Sequence, residues 1–246
     1  MPYFRAGDSM FQGKMKAITF SYDDGVTQDV RLAELFRKYG MKATFNLNSG
    51  MLGQSSTLMP GRLVDHSKVK AEDVRHIYEG HEIAAHTLTH PMLPRMTEEN
   101  IIRQVEEDRL ALSELAGYEV VGFAYPGGGV NFDSRVAGVI KANTGIKYCR
   151  TINSNGEFAL SKNLYEFEPT VYHLEMDKMI ALGEKFLALK PEEPAIFYIW
   201  GHAYEFDINN SWECFEELLR FLSGREDIFY GTNRECILDS NYTKEI

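Results

Sequence analysis

Residues 17–47 read AITFSYDDGVTQDVRLAELFRKYGMKATFNL, and the fold class turns on this stretch. Residues 17–22 are apolar and β-prone, residues 27–39 carry apolar side chains at helical spacing, and residues 43–47 return to strand composition. Strand, helix and strand in this order make a βα repeat. The same rhythm continues outward, with a helix expected at 72–78, a strand at 82–85 and a long helix at 97–115. That helix has Thr97 as N-cap, Asn100 three residues on and Gly117 just past its end. Residues 120–124, 147–151, 195–200 and 228–230 supply further strands, and helices start near Ser134, Asp177 and Ser211. The expectation is an α/β fold of about seven βα units, its parallel strands covered by helices in a barrel or an open sheet.

In either arrangement chemistry gathers at the C-terminal ends of the strands. There the sequence places Asp23, Asp24 and Gly25, then Asn46 and Asn48, residues 86–90, residues 125–129, Arg150 and His202.

Composition narrows the function. With 246 residues, 44% hydrophobic and 25% charged, the chain has material for one large core. Neither a repeat nor a Pro/Gly/Ser linker divides it, so a single domain over 1–246 is expected, with a motif-bearing core at about 16–230. A net charge of -10 disfavours a nucleic-acid partner and docking on anionic lipid, and a neutral ligand fits better. Cys149, Cys214 and Cys236 lack metal-knot spacing and read as buried reduced thiols. No stretch approaches the roughly 18 apolar residues of a membrane span. The N-terminal segment lacks an apolar signal core, so a cytoplasmic protein is expected, or a secreted one if a signal peptide preceded it. Oligomeric state leaves no signature.

Four motifs carry candidate chemistry. SYDDG at 21–25 ends an apolar strand in two carboxylates; where strand alternation breaks, both can reach one cavity, one for a metal and one for a proton. Alone, it is equally a turn capping the next helix. HTLTH at 86–90 spaces His86 and His90 as on one face of a helical turn, where both reach one cation, and Pro91 stops the segment. Alone, two histidines at this spacing also arise by chance, and His66, His76 and His81 read as structural. FAYPGGG at 123–129 ends a strand in Pro126 and three glycines, which expose backbone N–H groups to a ligand or simply make a tight turn. In IFYIWGHAYEFD at 196–207 a strand delivers His202 to its end with Trp200 two residues earlier, an acid beside an aromatic wall or a core histidine.

Taken in order, the Asp pair, the His pair, the Pro-Gly strand end and the late strand-borne His resemble the NodB-homology polysaccharide deacetylases, carbohydrate esterase family 4. The resemblance runs from about Lys16 to His202. It implies a distorted (β/α) barrel with seven strands and the hydrolytic removal of acetyl groups from an N-acetylated, or O-acetylated, sugar or glycan. It implies Asp23 as general base, and Asp24, His86 and His90 as ligands of one divalent metal, zinc first and cobalt or nickel as alternatives. The N–H of Gly127, in the Tyr125-Pro126-Gly127 segment, would meet the oxyanion, His202 would act as general acid, and Trp200 would line the acetyl pocket.

Three positions depart from the family pattern. Where the family often carries an Arg that orients the base, this chain has Ala124; Arg150, at the end of the next strand, is the candidate substitute. No Asp-x-x-Asp-Trp segment is present to tune the catalytic His, and Glu168 and Asp177 are weak substitutes, with His173 close by in the sequence. Trp200 is bulkier than the usual aliphatic residue and would narrow the acyl pocket. Competing readings are an allantoinase-like cyclic amide or ureide hydrolase, a non-catalytic carbohydrate-binding protein on the same scaffold, and a non-haem iron oxygenase, whose usual β-sandwich the βα rhythm contradicts.

Overall fold

Every residue of strand β1 (Lys16–Asp23) is buried, as expected of a strand with parallel neighbours on both edges. The computed structural model describes residues 10–59, 61 and 63–238. After β1 come α1 (Asp29–Lys38), β2 (Thr44–Leu47), the antiparallel pair β3 (Thr57–Leu58) and β4 (Val64–Asp65), α2 (Val74–Ile77), β5 (Glu82–Ala85) and α3 (Glu98–Ala116). There follow β6 (Gly122–Ala124), α4 (Ser134–Asn143), β7 (Tyr148–Arg150), β8 (Val171–Tyr172), α5 (Met176–Ala188) and β9 (Ala195–His202). The chain then forms α6 (Tyr204–Asn209), α7 (Trp212–Leu222), β10 (Ile228–Tyr230) and α8 (Asn233–Ile237).

The sheet runs β7-β6-β5-β2-β1-β9-β8 with every pairing parallel, and β10 lies beside β1. β9 pairs with β1 along its whole length, while β10 and β2 share the other edge, taking residues 16–18 and 21–23. The segment that ends in β8 curls the sheet round. Phe167 exchanges backbone hydrogen bonds with Cys149 and Thr151 beside β7, and three residues on Thr170 N–H donates to Tyr198 O of β9 at 2.8 Å. The result is the distorted α/β barrel expected from the sequence. β8, only two residues long, is too short for a periodicity argument, so it is an addition to the seven expected strands.

Register positions the site. Asp23 lies opposite both His202 and Asn46, Ala124 opposite Arg150, and Tyr172 opposite Trp200. The other end of the barrel is closed by α8, where Glu82 accepts from the Thr44 hydroxyl at 2.7 Å and from Arg234 N–H at 2.9 Å.

Local expectations hold where a cap fixes the boundary. The Thr97 side chain accepts from Asn100 N–H, and Gly117 takes φ 78° at the end of α3. Others need correction. The 72–78 helix is a 3₁₀ turn at Ala71–Asp73 followed by α2. α1 starts at Asp29 with no side-chain cap, so neither Asp23 nor Asp24 serves as its N-cap. Cys149 and Cys236 are buried as expected, but Cys214 is exposed, because it falls on the outer face of α7 between the buried Trp212 and Phe215. Among the described residues no helix is long and apolar enough to cross a membrane.

Candidate active site

Asp23 ends β1 and is 2% exposed. Its Oδ1 accepts from Asn46 Nδ2 at 2.8 Å, and its Oδ2 accepts from a guanidinium N–H of the fully buried Arg150. Burial pushes the Asp23 carboxyl up, but Arg150, His86 and His202 outweigh it and hold the group below the usual carboxylate range. Arg150 reaches this position because it is the register partner of Ala124, and register partners on parallel strands project from the same face. Trp200, expected along an acyl pocket, packs against Arg150 and lies 5.8 Å, ring to ring, from His202. Tyr172 stacks on the indole ring at 4.5 Å, the Arg150 guanidinium lies 4.6 Å from its centroid, and its N–H donates to Ser154 Oγ at 3.0 Å.

Asp24, His86 and His90 bring one donor atom each to within 4.8 Å of one another. From Asp24 Oδ1 it is 3.8 Å to His86 Nε2 and 3.5 Å to His90 Nε2. Ligand bonds of about 2.0–2.2 Å in tetrahedral geometry put ligand atoms about 3.4 Å apart, so this spacing fits a small divalent ion. His86 Nδ1 lies 2.8 Å from Ala124 O. A carbonyl only accepts, so Nδ1 carries the proton and the Nε2 lone pair faces Asp24. Burial lowers the His86 imidazole to about 4, so it stays neutral, as a ligand must. Asp24 Oδ2 is turned to His66 Nε2 at 3.3 Å, which gives His66, read from the sequence as structural, a place against the site. Burial pushes the Asp24 carboxyl up, yet the His66 hydrogen bond and the charges of His202, Lys68 and His86 hold it well below the usual range.

The 86–90 segment is not the helical turn expected from its spacing. It is a loop in which Thr87 and His90 adopt φ 74° and 57°. A β-branched residue in the left-handed region costs about 1–3 kcal/mol, so contacts from elsewhere must hold it there.

His202 ends β9 with Nε2 3.9 Å from Asp23 Oδ2. Its Nδ1 and its backbone N–H both lie against Glu205 Oε2, at 3.1 and 3.2 Å. The same oxygen meets His173 Nε2 at 2.7 Å, and Glu205 Oε1 accepts from the Tyr172 hydroxyl. Burial opposes charge on His202, but the hydrogen bond and charge of Glu205, joined by Asp24 and Asp23, raise the imidazole to about 9.

Beyond β6, Gly127 takes φ 85°, a conformation in which a side chain would be strained, and a Cβ there would lie 2.6 Å from Met92 Sδ, which would have to shift. Asn131 Nδ2 ties Tyr125 O and Gly127 O at 3.1 and 3.0 Å. The Tyr125 side chain is turned into the core, its hydroxyl on Tyr165 O at 2.8 Å, which leaves this segment its backbone to offer a ligand.

A family model described as polysaccharide deacetylase matches residues 12–148, more than half of the chain. The chain belongs to the polysaccharide deacetylase family. Peptidoglycan-N-acetylglucosamine deacetylase PgdA of Listeria monocytogenes is 26% identical over 118 residues, covering 47% of this chain and 22% of that protein. The chain thus spans less than a quarter of that relative's length. Among solved structures, PuuE allantoinase superposes with a TM-score of 0.67 at 12% identity, covering 94% of this chain and 91% of that one. The Xyl-CE4 domain of a multidomain xylanase from the hindgut metagenome of Trinervitermes trinervoides gives 0.54 at 19% identity, covering 91% and 89%. At such identities the likeness is one of fold.

The matched span includes Asp23, Asp24, His86, His90 and Gly127, while Arg150, His202 and Glu205 lie beyond it. Glu205 is the site carboxylate that the sequence reading passes over. Glu168 and Asp177, named in its place, are both exposed, and Glu168 contacts only Asn155 at 3.4 Å among the described residues. The available signal was position: Glu205 follows His202 by three residues, the spacing at which side chains meet on a helical turn. His173 does face this cluster, between Glu205 and the Tyr22 hydroxyl at 3.3 Å.

Proposed function

We propose that this chain hydrolyses the acetamide of an N-acetylated sugar or glycan, releasing acetate and leaving a free amine. The observation that carries the reading is the pairing of Asp23, held ionised by Arg150, with His202, held protonated by Glu205, their nearest atoms 3.9 Å apart beside the Asp24, His86 and His90 trio. A binding protein has no use for a base and an acid in this arrangement. A divalent ion on Asp24, His86 and His90, zinc first and cobalt or nickel as alternatives, would lower the pKa of water and polarise the acetyl carbonyl. Asp23, fixed by Arg150 and Asn46, accepts a proton from the attacking water. Gly127 N–H donates to the carbonyl oxygen as it gains charge. His202, its Nδ1 on Glu205, gives a proton from Nε2 to the departing amine.

The direct test is acetate release from N-acetylglucosamine oligomers by protein stripped with a chelator and then resupplied with zinc, cobalt or nickel. Turnover is expected to vanish on stripping and to return with at least one of the three. Absence of acetate with all three metals, or ring opening of a cyclic ureide instead, overturns the reading.

Glu205 gives a pH prediction. It raises His202, which therefore keeps its proton up to about pH 9. Glu205→Gln removes the charge, the imidazole sheds its proton at lower pH, and the alkaline fall in kcat moves down by about one pH unit or more. An alkaline limb that stays where it is in the wild type rules out Glu205 as the group that tunes His202.

A further inference from the structure

The loop between the two histidines of the trio is gripped from both sides by side chains that touch neither imidazole. Asp108 of α3, 0% exposed, accepts from His86 N–H at 2.9 Å through Oδ2, and through Oδ1 from Ser49 N–H and its hydroxyl at 2.7 and 2.6 Å. Gln104, one turn earlier, accepts from Thr89 N–H at 3.1 Å and donates to the Thr89 hydroxyl at 2.9 Å, while its backbone O takes Leu88 N–H at 3.0 Å. Asn48, beyond the end of β2, donates to His86 O and Thr87 O at 2.6 and 2.9 Å. Inside the loop, Thr87 Oγ1 accepts from His90 N–H at 3.1 Å. The N–H groups of residues 86, 88, 89 and 90 are thus all bound, and so are the carbonyls that flank the left-handed Thr87.

A buried carboxylate and a buried amide on a helix that otherwise turns Ile101, Val105 and Leu112 to the core are costly unless fully bonded. Among the described residues no Lys or Arg pairs with Asp108, and its two oxygens are taken up by the His86 loop and by Ser49 at the end of β2. These bonds fasten the backbone on both sides of the strained Thr87, between His86 and His90.

We propose that Gln104 and Asp108, with Asn48, are positioning residues that pre-form the 86–90 loop for a divalent cation, so that α3 sets the affinity of the metal site without supplying a ligand. The inference rests on the metal reading above. Outer partners of this kind typically change metal affinity 10–100-fold.

The test is zinc affinity, measured by competition with a chromophoric chelator, alongside the melting temperature of the metal-free protein. Asp108→Asn, equal in size but placing an amide donor against N–H and O–H donors, is expected to weaken zinc binding about 10–100-fold. Gln104→Leu should weaken it about 10-fold, and Gln104→Glu, which still accepts from Thr89, should keep it within about 3-fold. Leu112→Ala serves as a control: it removes buried apolar volume from the same helix, and should lower the melting temperature while leaving zinc affinity unchanged. The proposal falls if Asp108→Asn and Gln104→Leu bind zinc as the wild type does, whatever their melting temperatures. It also falls if Leu112→Ala weakens zinc as much as they do. A wild-type protein that binds no zinc, or a His86→Ala variant that binds as tightly as wild type, removes the metal reading itself and this proposal with it.

Discussion

Asp23→Asn is expected to leave about one hundredth of wild-type turnover or less while zinc still binds. A positioned general base contributes about 10²–10⁴-fold, and an amide of the same shape cannot take the water proton. The substitution has a second consequence. Arg150 is fully buried, and its hydrogen-bonded partners are Asp23 and Thr151 O, so removing the carboxylate leaves a buried charge without its counterion. Breaking such a pair from one side costs about 3–5 kcal/mol, so the melting temperature should fall together with activity. The double variant Asp23→Asn with Arg150→Met separates the two effects. It removes both charges, and stability is expected to recover while turnover does not. Turnover that returns with stability in the double variant would show that Asp23 holds the fold and not the proton.

His86→Ala is expected to lose both metal and turnover, and this combination distinguishes a ligand from a base. One of three donors disappears, so zinc binding should weaken by more than the 10–100-fold typical of outer partners, to at least about 100-fold. Acetate release should drop below detection at the zinc concentration that saturates the wild type. Because His86 Nδ1 bonds Ala124 O, the variant also leaves a buried carbonyl unpartnered, at about 1–3 kcal/mol. Zinc titration with the folded variant decides the matter: wild-type affinity would exclude His86 from the trio, and metal loss with turnover intact would make the ion dispensable.

The sequence carried much of the architecture because so much of it is local. The apolar runs that became β1, β5 and β10 and the caps of α3 were readable from a few neighbouring residues. Their chemistry acts within one turn or one strand. Spacing picked out the Asp23–Asp24 and His86–His90 pairs, and the family resemblance joined Asp24, His86 and His90 into a candidate trio. Spacing could not foresee that His86 and His90 meet through two left-handed residues instead of a helical turn, because that backbone is imposed by Asn48, Gln104 and Asp108 from other elements.

What tertiary structure alone decided is which distant residues stand beside one another. Arg150 reaches Asp23 because β7 pairs with β6 in the register that sets Arg150 against Ala124. Trp200 packs against Arg150 and Tyr172 because Tyr172 of the two-residue strand β8 lies opposite it. Glu205 binds His202 and His173 together because the pairing of β8 with β9 brings the two histidines side by side. Periodicity, caps and turn residues report on interactions between close neighbours in the chain. The register of parallel strands and the strain of a loop arise from contacts between segments far apart in sequence, and those contacts set the residues around Asp23 and His202.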